Sequence, residues 1–341
     1  MNAGDFLFIG FGESRMTAAL SKLLRRVRPA GVILFRRNLS TPEGTRKLTD
    51  AVCVALGYRP FVAIDQEGGT VSRLRAFGFD FPTALDLART GRASSAENQA
   101  RLMGRALRML GVNVNFAPVV DLSPPDSKNG IGTRSFSTDP AVAARYAGAF
   151  LRGLKKEGVL GCLKHFPGLG STASDSHLTL PASHRSASAL LRRDVEPFRL
   201  LAKSAPFVMF GHAWYPAFSG KEKIPADLDF KIATTLLRGR AGFRGVALSD
   251  DLAMKAVPAW ARERHPEAFL AAGCDMLLAC EPSDVERTWR TLSKNLAAMP
   301  APFAASLRRV ARLRKKLPAA AKFSAREWGK AVREAGWERR G

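Results

Sequence analysis

Short apolar runs rich in β-branched and aromatic residues recur along the chain at intervals too wide for β-hairpins. There are eight of them, at residues 5–11, 31–35, 61–65, 112–119, 158–165, 206–212, 245–250 and 275–280. Between most of these runs the apolar positions follow a helical period, at residues 17–26, 42–56, 95–110, 141–157, 187–204 and 232–238. Strands that alternate with helices pair in parallel, and eight such units predict an α/β fold closed into a (β/α)8 barrel of the TIM type. A doubly wound open sheet is the alternative that the same pattern allows.

Polar side chains stand at the carboxyl ends of several predicted strands. Asp65 ends the third run, Lys164 and His165 end the fifth, His212 ends the sixth and Asp250 ends the seventh. Barrel enzymes carry their catalytic residues at this end of the strands. The convergence of these side chains therefore predicts an active site at one mouth of the barrel.

The loop after the fifth strand carries the most informative pattern in the chain. Residues 164–170 read KHFPGLG, and Asp175 and His177 follow, two positions apart. Glycine and proline disfavour a regular helix or strand, so this loop presents its side chains instead of packing them. In an Asp-x-His pair the carboxylate can orient and charge an imidazole that transfers protons. The alternative role for His177 is to cap backbone groups of the loop.

The last part of the chain differs in composition from the rest. Residues 284–317 are helical in pattern and basic, with breaks at Pro300 and Pro302, and a short tail follows Pro318. We predict a single catalytic barrel over residues 1–300 and a basic helical C-terminal extension over residues 301–341. A chain of 341 residues with 46% hydrophobic residues has ample material for one large core.

Nothing in the chain predicts membrane insertion or export. No window approaches 18 consecutive apolar residues, and the first residues, MNAGD, lack the basic segment of a signal peptide. The four cysteines have no Cys-x-x-Cys spacing, which indicates buried reduced thiols instead of disulfides or a zinc site. We therefore expect a cytoplasmic protein, and we expect it to be a monomer.

The net charge is unusually positive. The chain has 53 Lys and Arg against 30 Asp and Glu, a net charge of +23, and residues 301–341 alone have 12 against 3. A basic face can bind nucleic acid, anionic lipid or an anionic substrate. The alternative is a solvated, arginine-rich surface without a specific partner. The chain has no zinc-finger spacing, RNA-recognition motif or basic zipper, so nucleic acid is not an expected partner.

Several motifs that mark common kinds of catalytic or cofactor site are absent from the chain. The five histidines form no His-Glu-x-x-His cluster, no Gly-x-Ser-x-Gly turn offers a serine nucleophile, and no G-x-G-x-x-G follows the third strand. What remains is a set of carboxylates, Asp65, Asp175, Asp250 and Asp251, with one Asp-x-His unit. A carboxylate nucleophile with a separate acid/base is the arrangement of retaining glycoside hydrolysis.

Eight longer motifs occur in order between about residues 31 and 276. They are GVILF at 31–35, IDQEGG at 64–69, NFAPVVD at 115–121, IGTRSF at 131–136, KHFPG at 164–168, DSH at 175–177, LSDDLAM at 248–254 and AGCDM at 272–276. Together they resemble the signatures of glycoside hydrolase family 3. Within that family they are most similar to the single-domain β-N-acetylglucosaminidases, or β-hexosaminidases, of bacterial peptidoglycan recycling.

This resemblance implies a role for each candidate residue. Asp250 would be the nucleophile that forms a glycosyl-enzyme intermediate. His177 would donate a proton to the leaving oxygen and later activate water, and Asp175 would orient His177. The substrate-binding positions that it implies are Asp65, Arg73, Arg134, Lys164 and His165. It also implies a small carbohydrate substrate and neither a metal ion nor an organic cofactor.

Two further expectations concern the Asp250–Asp251 pair and Leu169. Asp250 and Asp251 are adjacent and would point to opposite faces of a regular strand, so one of them is expected to bind loop amides or an arginine. The resembled family usually has a histidine where this chain has Leu169, and the leucine removes one polar contact from the loop.

The sequence thus predicts a retaining exo-β-N-acetylglucosaminidase that releases non-reducing GlcNAc from muropeptides bearing 1,6-anhydro-N-acetylmuramic acid. A glycoside phosphorylase is one alternative, because a histidine acid/base carries no negative charge to repel an incoming phosphate. A catalytically inactive barrel that binds cell-wall fragments or nucleic acid is another. A β-glucosidase fits less well, because the Asp-x-His loop resembles the hexosaminidase branch.

Overall fold

Eight parallel strands close into a barrel in the computed structural model, which describes residues 2–173, 179–298 and 303–337. The strands, with a two-stranded hairpin formed by β4 and β5, are β1 (Leu7–Ile9), β2 (Gly31–Leu34), β3 (Phe61–Ile64), β4 (Gln66–Gly68), β5 (Val71–Ser72), β6 (Val114–Asn115), β7 (Leu160–Phe166), β8 (Phe207–Phe210), β9 (Val246–Asp251) and β10 (Met276–Ala279). Barrel strands pair in the order β1-β2-β3-β6-β7-β8-β9-β10, and β10 pairs with β1. The barrel predicted from the alternation of strands and helices is confirmed, and the open-sheet alternative is wrong.

Helices connect the strands on the outside of the barrel. They are α1 (Ala18–Val27), α2 (Pro42–Leu56), α3 (Ala84–Arg89), α4 (Ala93–Met109), α5 (Pro140–Lys156), α6 (Ala187–Arg192), α7 (Glu196–Leu201), α8 (Pro216–Ser219), α9 (Ala259–Glu263), α10 (Glu267–Ala272), α11 (Pro282–Ala297), α12 (Ala304–Arg314), α13 (Ala325–Trp337) and a π-helix at Lys231–Arg240. Short 3₁₀ turns lie at Ala3–Phe6, Arg36–Asn38, Leu74–Phe77, Gly132–Arg134, Leu169–Ser171 and Ala226–Leu228.

Helix α2 shows why some boundaries can be read from the sequence. The Thr41 hydroxyl caps the first turn by accepting from the Gly44 N–H, and Pro42 occupies the first helical position. At the other end Gly57 adopts φ 72°, the left-handed conformation that ends many helices. The predicted range 42–56 therefore coincides with the observed helix.

Three predicted elements are shorter or different in the structure. The predicted strand 112–119 pairs regularly only at β6, since Pro118 has no N–H to continue the ladder. The predicted helix 187–204 is interrupted at residues 193–195, between α6 and α7, and Pro197 lies in the first turn of α7, where its missing N–H costs no helical hydrogen bond. The predicted helix 232–238 lies within the longer π-helix.

Alternate strand residues divide between the barrel interior and the layer under the helices. Phe8, Phe61, Phe116 and Phe207 belong to the interior cluster, with ring centroids 5.3 to 6.2 Å apart in the pairs that touch. Their strand neighbours, such as Leu7, pack against the surrounding helices. This alternation fills the barrel with side chains, so ligands can bind only at its ends.

The hairpin of β4 and β5 projects from the carboxyl end of β3. Gly68 and Gly69 make its turn with φ 107° and 57°, values that residues with a Cβ rarely adopt. A Cβ on Gly69 would also lie 2.5 Å from the Thr83 side chain. The hairpin carries Glu67 and leads to Arg73, and it therefore builds one wall of the barrel mouth.

Helix α12 covers the opposite, amino-terminal end of the barrel. Its Val310 and Leu313 join the interior cluster. Its Arg309 donates hydrogen bonds of 2.6 and 3.0 Å to the buried carboxylate of Asp275, which also accepts from Arg238 at 2.8 Å. Asp275 therefore holds α12 and the π-helix against the start of β10. The division of the chain at residue 300 stays a prediction.

The helices and the cysteines can also be compared with the sequence predictions. Across the described ranges no helix is long and apolar enough to cross a membrane. All four cysteines are free thiols; three are buried, as predicted, whereas Cys53 on α2 is only half-buried.

Replacement of Asp275 by alanine should lower the free energy of unfolding by about 3 kcal/mol, because Arg238 and Arg309 lose their buried counter-charge. Urea denaturation of the two proteins measures the difference. The control is Glu286→Ala, since Glu286 also contacts two arginines, Arg26 and Arg290, but on the exposed face of α11. This control should unfold like the wild type. Equal losses in both variants would contradict the anchoring role of Asp275.

Candidate active site

A cavity of about 230 Å³ lies at the carboxyl end of the barrel strands. It is lined by six of the predicted site residues, Asp65, Arg73, Arg134, Lys164, His165 and Asp250. The other two, Asp175 and His177, lie outside the described residues. As formed by the described residues, the cavity has room for about one sugar ring.

Irregular strand pairing lets neighbouring residues reach the same cavity. The register of β7 with β8 shifts between Lys164 and Phe166, and β9 has one extra residue opposite β10 before Asp251. In a regular strand adjacent side chains point to opposite faces, and a bulge redirects one of them. Lys164 and His165 thus both line the cavity, as do Asp250 and Asp251.

Lys164 is buried between two carboxylates. Its side chain is 3% exposed, and its Nζ lies 2.8 Å from Asp65 Oδ1 and 2.7 Å from Glu67 Oε1. Burial alone would lower the pKa of Lys164, but Asp65 and Glu67 raise it above its ordinary value. The ammonium is therefore charged and holds the end of β3 against the end of β7.

Arg134 completes this charge network from the other side of Glu67. Its Nε and Nη2 donate to the two Glu67 oxygens at 2.8 and 2.9 Å, and its Nη1 donates to the Gly130 carbonyl at 2.8 Å. Burial alone would raise the pKa of Glu67, but Arg134 and Lys164 hold it well below its ordinary value. Two cations and two carboxylates thus balance in this network.

Arg73 differs from the other cations of the cavity. Its Nε is buried and has no hydrogen-bond partner among the described residues. A buried guanidinium N–H without a partner is costly, and the same side chain lines the cavity, where a ligand oxygen could contact the guanidinium. Arg73 is therefore a strong candidate for a direct substrate contact.

His165 is held by Asp121. Its Nδ1 lies 2.7 Å from Asp121 Oδ2, and its backbone N–H also donates to the same carboxylate. The backbone N–H of Leu169 donates to Asp121 Oδ1 at 2.7 Å. The buried Asp121 carboxylate thus orients His165. It also fixes the start of the glycine-rich loop at Leu169, where the resembled family usually has a histidine.

Asp250, near the end of β9, accepts a single hydrogen bond from the described residues. Its Oδ1 accepts from the Asp251 N–H at 2.8 Å, and no described group donates to Oδ2. Burial alone would raise the pKa of Asp250, but His165, His212, the Asp251 N–H and Lys164 hold it below its ordinary value. Asp250 is therefore ionised at neutral pH with one oxygen available for chemistry.

Asp251 has a structural role. Its Oδ1 accepts from the backbone N–H groups of Ala253 at 3.1 Å and Cys280 at 3.2 Å. The expectation that one member of the Asp pair binds loop amides is confirmed for Asp251.

His212 lies fully buried behind this pair. Its Nδ1 is 3.1 Å from Asp227 Oδ1, and its Nε2 is 3.2 Å from the Asp251 carbonyl oxygen. Burial alone would lower the pKa of His212, but Asp227, Asp250 and the Asp251 carbonyl raise it to about 9. A protonated imidazole here donates both N–H groups and supports the charge of Asp250.

Sequence reasoning assigned no role to Glu67 or Asp227. Glu67 stands two residues after Asp65 in the IDQEGG motif, so a signal was present, but its partners depend on the hairpin. Asp227 lies 15 residues after His212 and has no sequence signal. Among the residues that the structure describes, no group of three or more His, Cys, Asp or Glu side chains could hold a metal ion.

Known proteins resemble the chain over most of its length. A family model described as the glycosyl hydrolase family 3 N-terminal domain matches residues 3–313. A β-hexosaminidase of Stenotrophomonas maltophilia (strain K279a) is 35% identical over 309 residues, which cover 86% of this chain and 89% of that protein. A β-hexosaminidase of Pseudomonas aeruginosa (strain LESB58) is 38% identical over 280 residues, covering 80% and 82%.

A solved structure from the same glycoside hydrolase family also resembles the chain. The glycoside hydrolase family 3 β-N-acetylglucosaminidase from Paenibacillus sp. str. FPU-7 superposes with a TM-score of 0.88 at 29% identity. The match covers 98% of this chain and 67% of that one.

The stability provided by His212 should depend on pH. An unfolded histidine has a pKa near 6.5. Because folding raises the pKa of His212 to about 9, its contribution is complete below pH 6.5 and is lost as the pH rises through 9. Relative to His212→Gln, the wild type should gain about 3 kcal/mol more stability at about pH 6 than at about pH 9.5.

Urea denaturation at the two pH values measures this difference, because the other titrating groups cancel between the variants. His265→Gln, at an exposed site, controls for loss of an imidazole. A difference between wild type and His212→Gln that does not change with pH would show that His212 is not protonated in the folded protein.

Proposed function

Because the chain belongs to glycosyl hydrolase family 3 and is a glycoside hydrolase, we propose that it is a retaining exo-β-N-acetylglucosaminidase. It would release non-reducing terminal GlcNAc from peptidoglycan fragments through a glycosyl ester on Asp250. The β-hexosaminidase relatives and the β-N-acetylglucosaminidase neighbour support the choice of sugar.

The observation that carries the proposal is the state of Asp250. It is ionised, its Oδ2 has no described donor, and it lies in the cavity beside Lys164 and His165. The other carboxylates of the cavity have different partners: Asp65 and Glu67 each form an ion pair with Lys164, and Asp251 Oδ1 accepts from two backbone N–H groups. An ionised carboxylate cannot serve as the general acid, but it can serve as the nucleophile.

The reaction then proceeds in two displacements. Asp250 Oδ2 attacks the anomeric carbon while the bond to the leaving oxygen breaks, and His177 donates a proton to that oxygen. Water next attacks the same carbon and gives its proton to His177 while the bond to Asp250 breaks. Each displacement inverts the anomeric centre, so the released GlcNAc keeps its β configuration.

His177 and Asp175 receive their roles from the family resemblance, since both lie outside the described residues. An imidazole suits the acid/base role because its ordinary pKa is close to neutral pH. Asp175 would orient the ring and stabilise its protonated form.

Substrate binding would use the cations of the cavity. Arg73, which lines the cavity, would donate to a sugar hydroxyl or to the acetamido oxygen through its guanidinium group. Lys164 and Arg134 keep two carboxylates, Asp65 and Glu67, rigid enough to accept from sugar hydroxyls. Fragments with free peptide carboxylates are anionic, and the net charge of +23 would favour their encounter. A cytoplasmic location and a monomeric state stay predictions.

Substrate panels test the proposed reaction. The full chain should hydrolyse 4-nitrophenyl β-GlcNAc and GlcNAc-anhydroMurNAc-peptide, but not the 4-nitrophenyl β-glucoside, and phosphate should not change the rate. Asp250→Asn should lose roughly 10³-fold or more in kcat, because it removes the nucleophile. Asp50→Asn, on the exposed side of α2, is the matched control and should keep full activity.

Different outcomes would identify a different function. Release that requires phosphate and yields a sugar 1-phosphate would make the enzyme a phosphorylase. Full activity of Asp250→Asn would contradict the assignment of the nucleophile, and glucoside turnover at the same rate would contradict the choice of sugar.

A second prediction concerns Arg73. Arg73→Ala should lower kcat/KM by about tenfold to a hundredfold without lowering the thermal midpoint, because the side chain bonds to substrate and to no described protein group. Arg75→Ala is the control, since Arg75 lies outside the cavity and contacts Asp80 and the Gly69 carbonyl. A loss of stability with unchanged kcat/KM in Arg73→Ala would show a purely structural role.

A further inference from the structure

A second cavity, of about 660 Å³, opens at the amino-terminal end of the barrel. Leu160, Pro206 and Val246, where β7, β8 and β9 begin, form part of its floor, and α12 forms one wall. Along β7 the floor at Leu160 is four residues from Lys164, or about 13 Å at the rise of a strand. The cavity is therefore separate from the catalytic one, which lies at the other end of the same strands.

Cations surround this cavity. Its lining includes Lys155 from the end of α5, Lys203 after α7, Arg244 before β9, and Arg312 and Lys316 from α12 and the residues after it. Arg309, the sixth cation, is neutralised by Asp275. No Asp or Glu is found among the described residues that line the cavity.

The five remaining cations have no counter-charge among the residues that the structure describes. Arg312 donates to the Arg244 carbonyl at 2.9 Å, and Arg244 donates to the Phe243 carbonyl at 3.1 Å, so both guanidiniums are fixed but not neutralised. The side chains of Lys155, Lys203 and Lys316, which also line the cavity, make no ion pair or hydrogen bond with any described group. Like charges around one concavity repel one another, and a bound anion would relieve this repulsion.

We propose that this cavity is a binding site for a small organic phosphate. Its volume falls within the usual range for small-molecule sites. Its floor is apolar and its rim cationic, which suits a ligand with an apolar part and a di- or triphosphate group. No aromatic side chain is among the described residues that line it, so these residues offer no stacking surface of the kind with which proteins bind single-stranded nucleic acid.

The inference does not rest on the proposed hydrolase activity. Its residues come from α5, α12 and the segments that precede β8 and β9, and none of them lines the catalytic cavity. It accounts for part of the basic charge at the C-terminal end of the chain, which the glycoside hydrolase reaction does not use.

Titration calorimetry on the full chain tests the site with ADP, inorganic pyrophosphate and adenosine as probes. ADP and pyrophosphate should bind, whereas adenosine should not, because the charged groups supply most of the affinity. The triple variant K155Q/K203Q/K316Q should weaken ADP binding at least tenfold, a loss of about 1.4 kcal/mol. The control K22Q/K47Q/K330Q removes the same charge from exposed helix positions elsewhere and should change the affinity less than twofold.

Several results would overturn the proposal. Equal weakening in both triple variants would show that only overall charge matters, and absence of ADP and pyrophosphate binding up to roughly 1 mM would exclude the site. Competition of ADP with an aryl glycoside substrate would move the anion to the catalytic cavity. Tighter binding of a single-stranded oligonucleotide than of ADP, lost in the first triple variant, would make the surface a nucleic-acid site.

A folding control keeps the test decisive. Both triple variants should retain the wild-type thermal midpoint and its glycosidase rate. If the first triple variant does not fold, the single variants Lys155→Gln, Lys203→Gln and Lys316→Gln serve instead. Each should weaken ADP binding about twofold or more, and unchanged affinity in all three would contradict the site.

Discussion

The buried ammonium of Lys164 organises the mouth of the barrel. It lies between Asp65 at the end of β3 and Glu67 in the adjacent hairpin, and Arg134 donates to both oxygens of Glu67. Removal of any one charge would leave another buried without compensation, which is far more costly than loss of an exposed pair. The positions of the loops that surround the substrate cavity therefore depend on this network.

The same electrostatics decide which carboxylate is free to react. Asp65 and Glu67 are engaged by Lys164, and Asp251 is engaged by two loop amides. Asp250 is ionised by the positive field of the site, and no described group donates to its Oδ2. A glycosidase needs such a contrast among chemically similar groups, because the nucleophile must be charged and accessible at neutral pH.

Much of this could be predicted from the sequence, because the relevant signals are local. Strand and helix periods predicted the barrel and the range of α2, and residues at strand ends such as Asp65 and Asp250 predicted the location of the site. The family resemblance added Arg73 and Arg134, which are not at strand ends, and family membership is confirmed. The pairing of Glu67 with Lys164 and of His212 with Asp227 could not be predicted, since each joins segments that only the folded chain brings together. The second cavity, at the amino-terminal end of the barrel, is likewise assembled from segments distant in sequence, so a count of charged residues could not locate it.

The most direct test of the account is to trap the covalent intermediate. The enzyme is incubated with a 5-fluoro derivative of GlcNAc that carries a good leaving group. The fluorine slows breakdown of the glycosyl ester, and the peptides of the enzyme are then mapped by mass spectrometry. The account predicts one sugar per chain, attached to the peptide that contains Asp250, and no label in Asp250→Asn. A label on another carboxylate, or steady turnover with no covalent species, would contradict a double displacement through Asp250.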